Sequence, residues 1–303
     1  NDTKESVYRC EKLQIRRKIM KKARNYGIAA VVFILMIVLL NGSAVVLSAG
    51  VGIVGAVLGG YEGINLVYDF MMNNMNLLTG LAYIIPGTVF FLWYYFVFVE
   101  KQGISVFLRS HTRRLTPASF GWQILLVFSV QHATTLVMLA IAAIAPPAID
   151  NFSEMIECSG VSKFSLMWAF STLILPPLVE EIVFRGLILK YLERAGACFI
   201  VANLIQALLF GIFHMNIVQG IYTSLLGFLL GYLAYRYDSI LAPMITHALF
   251  NLFGTLIVDL ENRFLPDFAI ELLVLISVPL LVGTLLMIHF RIGERKREKR
   301  QVQ

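Results

Sequence analysis

The chain has 303 residues and a mass of 34.0 kDa, is 58% hydrophobic and only 15% charged, and has a mean hydropathy of +0.76. A soluble domain is about 45–50% apolar and about 25% charged, so this chain lacks the polar surface to cover a globule in water. That excludes a soluble enzyme, a disordered chain and a disulfide scaffold.

The 25 basic and 19 acidic residues are segregated: no Asp, Glu, Lys or Arg occurs in 25–61, 70–99, 115–149, 195–235 or 239–258. Gaps of that length suit transmembrane helices of about 20 apolar residues. Only helices and closed barrels satisfy their own backbone groups in hydrocarbon, and these runs lack the alternation of barrel strands. The expectation is an all-α polytopic membrane protein of about eight transmembrane helices, with a polar intramembrane cavity formed by the C-terminal spans. The spans are expected at 27–49, 77–99, 118–145, 164–192, 197–214, 216–236, 239–259 and 268–290.

In chain order, Arg9, Lys12, Arg16, Arg17, Lys18, Lys21, Lys22 and Arg24 precede the first span. Its uncharged stretch outruns the h-region of a cleavable signal, about 7–15 residues. The glycines Gly50, Gly52, Gly55, Gly59 and Gly60 that follow either extend this span, dip back into the bilayer, or pack closely against a neighbour. Lys101, Arg109, Arg113 and Arg114 fill the loop after the second span, and Arg291, Arg295, Lys296, Arg297, Lys299 and Arg300 follow the last. The opposite loops carry Glu62 and Asp69, then Asp150, Glu154 and Glu157, then Asp259, Glu261 and Asp267, with only Lys163 and Arg263 among them. By the positive-inside rule both termini are expected to be cytoplasmic, in a multi-pass protein of the cell membrane. Because each basic cluster abuts a span, it reads as a topology signal with attraction to anionic lipid, and no nucleic-acid partner is expected. Cys10, Cys158 and Cys198 fall in a cytoplasmic segment, an external loop and a span, which builds no disulfide framework.

The second half differs from the first in that polar residues recur inside its spans at helical spacing. In 164–194, Glu180, Glu181 and Arg185 interrupt an otherwise apolar stretch. An ionisable group at the bilayer centre costs about 2.5–3.5 kcal/mol on insertion scales, so a cluster of them needs partners or a water-filled cavity. Glu181 and Arg185 are i,i+4 neighbours with the acid first, whereas Glu180 points about 100° away. Glu180 is therefore the candidate working carboxylate, with Glu181 and Arg185 as its support. Pro176 and Pro177, just upstream, are expected to kink or break the span and admit solvent.

The fifth span ends in Phe210 and His214, and the seventh contains His247 and Asn251, each pair i,i+4 on one face. A lone interior histidine is more often a satisfied structural group than a catalyst; His132, beside Gln131 and Thr134 in the third span, illustrates it. The combination EExxxR, FxxxH and HxxxN, in this order on three spans, is more specific. Over about 164–258 the chain resembles the CPBP family of intramembrane proteases, also called Abi or CAAX-protease-like, which includes the Rce1-type prenyl proteases. The family's third motif accepts Asn or Asp, so Asn251 fits.

The resemblance implies an intramembrane endopeptidase. It marks 164–258 as a catalytic core, and the charge and span map divides the rest into a basic N-terminal segment (1–26), N-terminal spans (27–163), a last span (259–290) and a basic tail (291–303). It implies that Glu180 and His214 activate water, that His247 and Asn251 donate to the oxyanion, and that Glu181, Arg185 and Phe210 support them. The substrate is then a membrane-embedded or lipid-anchored protein or peptide. A second version of the chemistry uses zinc held by His214, His247 and Glu180 or Glu181, since two histidines and a carboxylate form a catalytic zinc set. The rivals are a secondary transporter with an intramembrane Glu/His relay, and a catalytically silent scaffold of the same fold. One difficulty is geometric: with simple alternating spans His214 lies at the external end of the fifth, about 10 Å in depth from Glu180 and His247.

Overall fold

The computed structural model describes residues 2–113, 115–161 and 163–301, and side chains over 12–113, 115–161 and 163–291. Arg9, Cys10, Arg114, Arg295, Lys296, Arg297, Lys299 and Arg300 lie outside the described side chains. The described residues contain helices and no strand: α1 (Asp2–Asn73), α2 (Met75–Ala82), α3 (Ile84–Tyr94), α4 (Ile104–Thr112), α5 (Pro117–Ile144), α6 (Pro146–Ser159) and α7 (Leu166–Trp168) come first. They are followed by α8 (Leu175–Glu181), α9 (Leu189–Arg194), α10 (Phe199–Phe213), α11 (Ile217–Tyr237), α12 (Leu241–Leu252), α13 (Val258–Phe264) and α14 (Asp267–Gln301). π-helical turns at Ala169–Ile174 and Ile182–Ile188 join α7, α8 and α9 into one helix, and another at Phe253–Ile257 joins α12 to α13.

Among the described residues, six helical stretches are long and apolar enough to cross a membrane: Lys12–Asn73, Met75–Gln102, Pro117–Ile144, Ile217–Tyr237, Leu241–Phe264 and Asp267–Arg291. The remaining two expected spans are helical but depart from that pattern for separate reasons. The α7–α9 helix carries the three charges and the wide turns. The 15-residue α10 is about 22 Å long, short of the roughly 30 Å hydrocarbon thickness.

The α7–α9 helix is the centre of the bundle. Every residue from 179 to 189 is buried, as expected of a helix surrounded on all sides. One apolar cluster packs Val32 and Met36 of α1, Phe90 and Tyr94 of α3 and Phe210 of α10 around Phe184, Leu187 and Ile188. A second joins α5, α11, α12 and α14 through Leu126, Leu230, Phe250 and Ile288. Outward-facing residues such as Val57, Leu58, Ile144 and Leu166 are exposed, as a lipid-facing surface requires.

Pro176 and Pro177 do not break the helix. The π turn at Ala169–Ile174 absorbs them, and the chain stays helical through Arg194. The glycine-rich stretch reverses direction at Gly60, whose φ of 56° and ψ of −135° lie outside helical space. In a straight helix Gly55 and Gly63 would be about 12 Å apart. Here a Cβ on Gly63 would collide with the Gly55 carbonyl, so the strand of helix after Gly60 packs back on the one before it.

Close approach also makes the α10–α11 hairpin. Asn203 Nδ2 donates to the Phe228 carbonyl (3.0 Å), and Gln206 Nε2 donates to Asn203 Oδ1 (2.7 Å) and to the Gly227 carbonyl (3.0 Å). In lipid such interhelical bonds and small residues hold helices together, because apolar burial offers no gain over the bilayer. A Cβ on Gly231 would collide with Asn203 Oδ1. Gly231→Ala is therefore expected to break this knot and destabilise the protein by about 1–3 kcal/mol, measured by unfolding in mixed micelles; an unchanged midpoint would show the knot to be dispensable.

Candidate active site

Glu180 and Glu181 end α8, and the following π turn carries Arg185. Glu181 Oε1 accepts from Arg185 Nη1 at 2.8 Å, closing the i,i+4 pair, while Arg185 Nη2 donates to the Gly227 carbonyl of α11 at 2.9 Å. The guanidinium also lies over the Phe210 ring, 4.5 Å from its centroid. The two charges are thereby paired and bonded in a place where both residues are buried. A buried ion pair is tolerated only with such additional bonds.

Glu180 takes no part in that pair. Its Oε1 accepts a 2.6 Å hydrogen bond from the hydroxyl of Tyr83, at the junction of α2 and α3. Its Oε2 is buried and has no hydrogen-bond partner. His247, on α12, spans the two carboxylates: Nδ1 lies 2.8 Å from Glu181 Oε1, and Nε2 lies 3.9 Å from Glu180 Oε2. Since a carboxylate accepts, His247 carries a proton on Nδ1 and turns Nε2 toward Glu180.

His214 caps the C-terminus of α10, and its Nδ1 is 2.8 Å from the Phe210 carbonyl. A carbonyl can only accept, so Nδ1 holds a proton, and in the neutral ring Nε2 keeps its lone pair. The Phe210 ring stands edge-on between the histidines, 4.9 Å from the His214 ring and 5.7 Å from that of His247. Phe210 is fully buried and forms the wall on which both imidazoles and Arg185 rest.

Asn251 answers the prolines. An α-helical partner for the Thr172 carbonyl is the N–H of residue 176, and a π-helical partner that of residue 177; both are proline and have none. Asn251 Nδ2 donates to that carbonyl instead, at 2.9 Å, tying α12 to the central helix. One amide hydrogen of Asn251 is thus engaged and the second is free to act elsewhere.

Glu180, His214, His247 and Asn251 line one cavity of about 620 Å³, together with Tyr83, Gln131 and Thr255. The depth mismatch expected between His214 and Glu180 is absent because α10 is short and its C-terminus stays within the bundle. Glu181, Arg185 and Phe210 stand behind the lining. Tyr83 is the residue that sequence reasoning misses: a tyrosine in an apolar span is ordinary, and no motif or spacing marks it. His132 pairs with Glu261 at 3.4 Å, joining α5 to α13 away from the carboxylates.

A zinc ion would be held through Nε2 of His214 and His247, the nitrogens that the hydrogen bonds leave open, together with Glu180. His247 Nδ1 and His214 Nδ1 are committed to hydrogen bonds. Among the described residues no three His, Cys, Asp or Glu side chains are grouped as a ligand set.

What the arrangement offers is a carboxylate oxygen without a hydrogen-bond partner, two imidazole nitrogens at the same cavity, and an amide donor. Comparison with known proteins agrees with the motif resemblance. Residues 162–253 match the family described as type II CAAX prenyl endopeptidase Rce1-like. No curated protein and no solved structure matches the chain. The matched stretch contains Glu180, Glu181, Arg185, Phe210, His214, His247 and Asn251 and leaves Tyr83 outside. It is over residues 162–253 that the chain is similar to the Rce1-like family.

Proposed function

We propose that the protein is an intramembrane endopeptidase that hydrolyses a peptide bond of a membrane-embedded or lipid-anchored substrate by glutamate-activated water. The observation that carries this reading is Glu180: one oxygen is clamped by Tyr83, and the other is buried and unpartnered in a cavity shared with His214, His247 and Asn251. Peptide hydrolysis needs an activated water, a stabilised oxyanion and a proton for the leaving amine.

Glu180 Oε2 takes a proton from the water, and His214 Nε2 accepts the second hydrogen and orients it. The water oxygen attacks the carbonyl carbon, and the carbonyl oxygen becomes the oxyanion. The second amide hydrogen of Asn251 and His247 Nε2 stabilise that charge; donation from Nε2 requires the doubly protonated ring, with Glu181 as its counter-ion. On collapse the C–N bond breaks and Glu180 returns its proton to the amine. Arg185 holds Glu181 in place as partner to His247 and away from the water. The family description of residues 162–253 supports this class of reaction.

The α7–α9 helix and α10 complete an eight-helix bundle, the first widened by π turns and the second short. Both termini face the cytoplasm, the side on which the basic clusters gather.

Glu180→Gln keeps an acceptor for Tyr83 but removes the base, and is expected to slow cleavage by about 10²- to 10⁴-fold with little change in the unfolding midpoint. The readout is accumulation of uncut membrane peptides in cells; normal processing by Glu180→Gln and by His214→Ala would refute the assignment and leave a silent scaffold. Arg185→Ala strands the Glu181 charge in the interior and is expected to cost about 3–5 kcal/mol of stability, seen as a lowered midpoint in micelles. Cleavage by a preparation shown by mass spectrometry to be metal-free is expected to persist. Loss on chelation, restored by zinc, would instead demand that His214, His247 and Glu180 regroup as ligands.

A further inference from the structure

The far end of the central helix carries a second polar cluster, about 15 Å along the helix from Glu180, and none of its residues lines the cavity around that carboxylate. Lys190 and Arg194 stand one turn apart on α9. Both lean on Phe98, in the π turn Tyr95–Val99 that follows α3: the Lys190 ammonium lies 4.7 Å and the Arg194 guanidinium 4.2 Å from the ring centroid. Tyr94 and Tyr191 flank the same ring, with centroids at 5.4 and 6.0 Å. α1 closes another side: Asn25 Nδ2 donates to the Arg194 carbonyl at 3.1 Å, and a Cβ on Gly196 would stand 3.2 Å from Lys22 Cε.

The cluster is rich in donors and poor in acceptors. Lys190 Nζ donates to the Tyr94 hydroxyl at 3.2 Å, and Trp93 Nε1 to the Tyr191 hydroxyl at 3.2 Å, so each phenol accepts from a neighbour and keeps its own hydrogen to give. Among the described residues the Arg194 guanidinium meets aromatic faces, those of Phe98 and Tyr191, and no carboxylate forms an ion pair with Lys22, Lys190 or Arg194. Asp238 and Glu193 act on Lys190 from farther off. Like charges one helical turn apart repel, and an aromatic face offsets a cation only in part. An anion with several acceptor oxygens meets both needs. A bilayer places such an anion at this level. The basic residues at 16–24 directly precede Asn25, and Trp93, Tyr94 and Tyr191 form an aromatic belt of the kind found beside headgroups. The exposed Phe96 and Ile200 continue an apolar surface next to it.

We propose that Lys190 and Arg194, on their bed of Phe98, Tyr94 and Tyr191, bind the headgroup phosphate of one anionic phospholipid. The guanidinium fork takes two phosphate oxygens and the ammonium a further one, and the acyl chains lie along Phe96 and Ile200. With no ion-paired carboxylate there to receive a choline or ethanolamine group, the site selects a headgroup of net negative charge. The bound phosphate offsets the repulsion between the two cations and so holds α1, α3 and α9 together. This is a built site on α9, distinct from the diffuse attraction of the basic runs, and it stands whether or not Glu180 is a catalytic base.

The test uses the full-length protein, delipidated in detergent, with phosphatidylglycerol or phosphatidylcholine added back. Native mass spectrometry counts the retained lipid, and the unfolding midpoint reads the stabilisation it brings. Wild-type protein is expected to retain phosphatidylglycerol over phosphatidylcholine and to unfold at a higher temperature with it. Lys190→Gln combined with Arg194→Gln is expected to cut that retention about tenfold and to abolish the gain in midpoint. Lys12→Gln combined with Arg16→Gln removes the same charge from exposed positions of α1 and is expected to change neither. Arg194→Gln alone, at an exposed position, is expected to weaken retention about threefold and decides the matter if the double variant fails to fold. Equal retention of the two lipids by wild-type protein, equal loss in the two double variants, or no loss in either would overturn the site. Displacement of the lipid by millimolar inorganic phosphate would give the site to a free anion and overturn the lipid as its occupant.

Discussion

The structure turns on placing two carboxylates and a guanidinium inside an apolar helix. Ions there are tolerated only when bonded and shielded, and the bundle is arranged to meet that demand. The helix carrying them is buried on every side over 179–189. Arg185 is shared between Glu181 and the Gly227 carbonyl, which fixes where α11 must pass. α10 has to approach α11 closely enough for Phe210 to reach the guanidinium, and the glycines and amides of that hairpin allow it. With Glu181 paired to Arg185, Glu180 is the carboxylate left outside that pair, hydrogen-bonded at one oxygen only.

Much of the fold was legible because membrane helices announce themselves through missing charge. Five apolar runs stand in the structure as long helices near their expected bounds, and the sixth, expected at 27–49, lies inside the much longer Lys12–Asn73. What was not legible lies where a local rule met a tertiary one. Pro176 and Pro177 read as a break, yet the helix continues, because a wide turn absorbs the rings and Asn251 supplies the hydrogen bond they cannot. His214 read as too far from Glu180, since a span was assumed to cross the whole bilayer, whereas α10 has only 15 residues. The reversal at Gly60 falls in a glycine-rich stretch where close packing was the expectation, and only its backbone angles mark it.

The site divides in the same way. Its charged and imidazole groups carry a motif, so their spacing exposes them. The groups that hold them do not: Tyr83 reaches Glu180 across 97 positions of sequence, and Thr246 reaches Gln123 across 123. Such contacts leave no periodicity in either segment. The N-terminal half, which holds none of the recognised motifs, thus supplies both the hydroxyl that orients the carboxylate and, through α5, one wall of the cavity.

The π turns at Ala169–Ile174 and Ile182–Ile188 bracket Glu180 and Glu181. Each accommodates about one residue more than α geometry would, and one residue on a helix is about 100° of rotation. The direction in which Glu180 points is therefore set by a count of residues upstream as much as by their identity. Deleting a single residue from Ala169–Ile174 would keep the helix, its hydrophobicity and every motif, and would swing one end of it relative to the other by more than a quarter turn. In this central helix chain length behaves as an angular coordinate, so substitutions and single-residue deletions there are perturbations of different kinds.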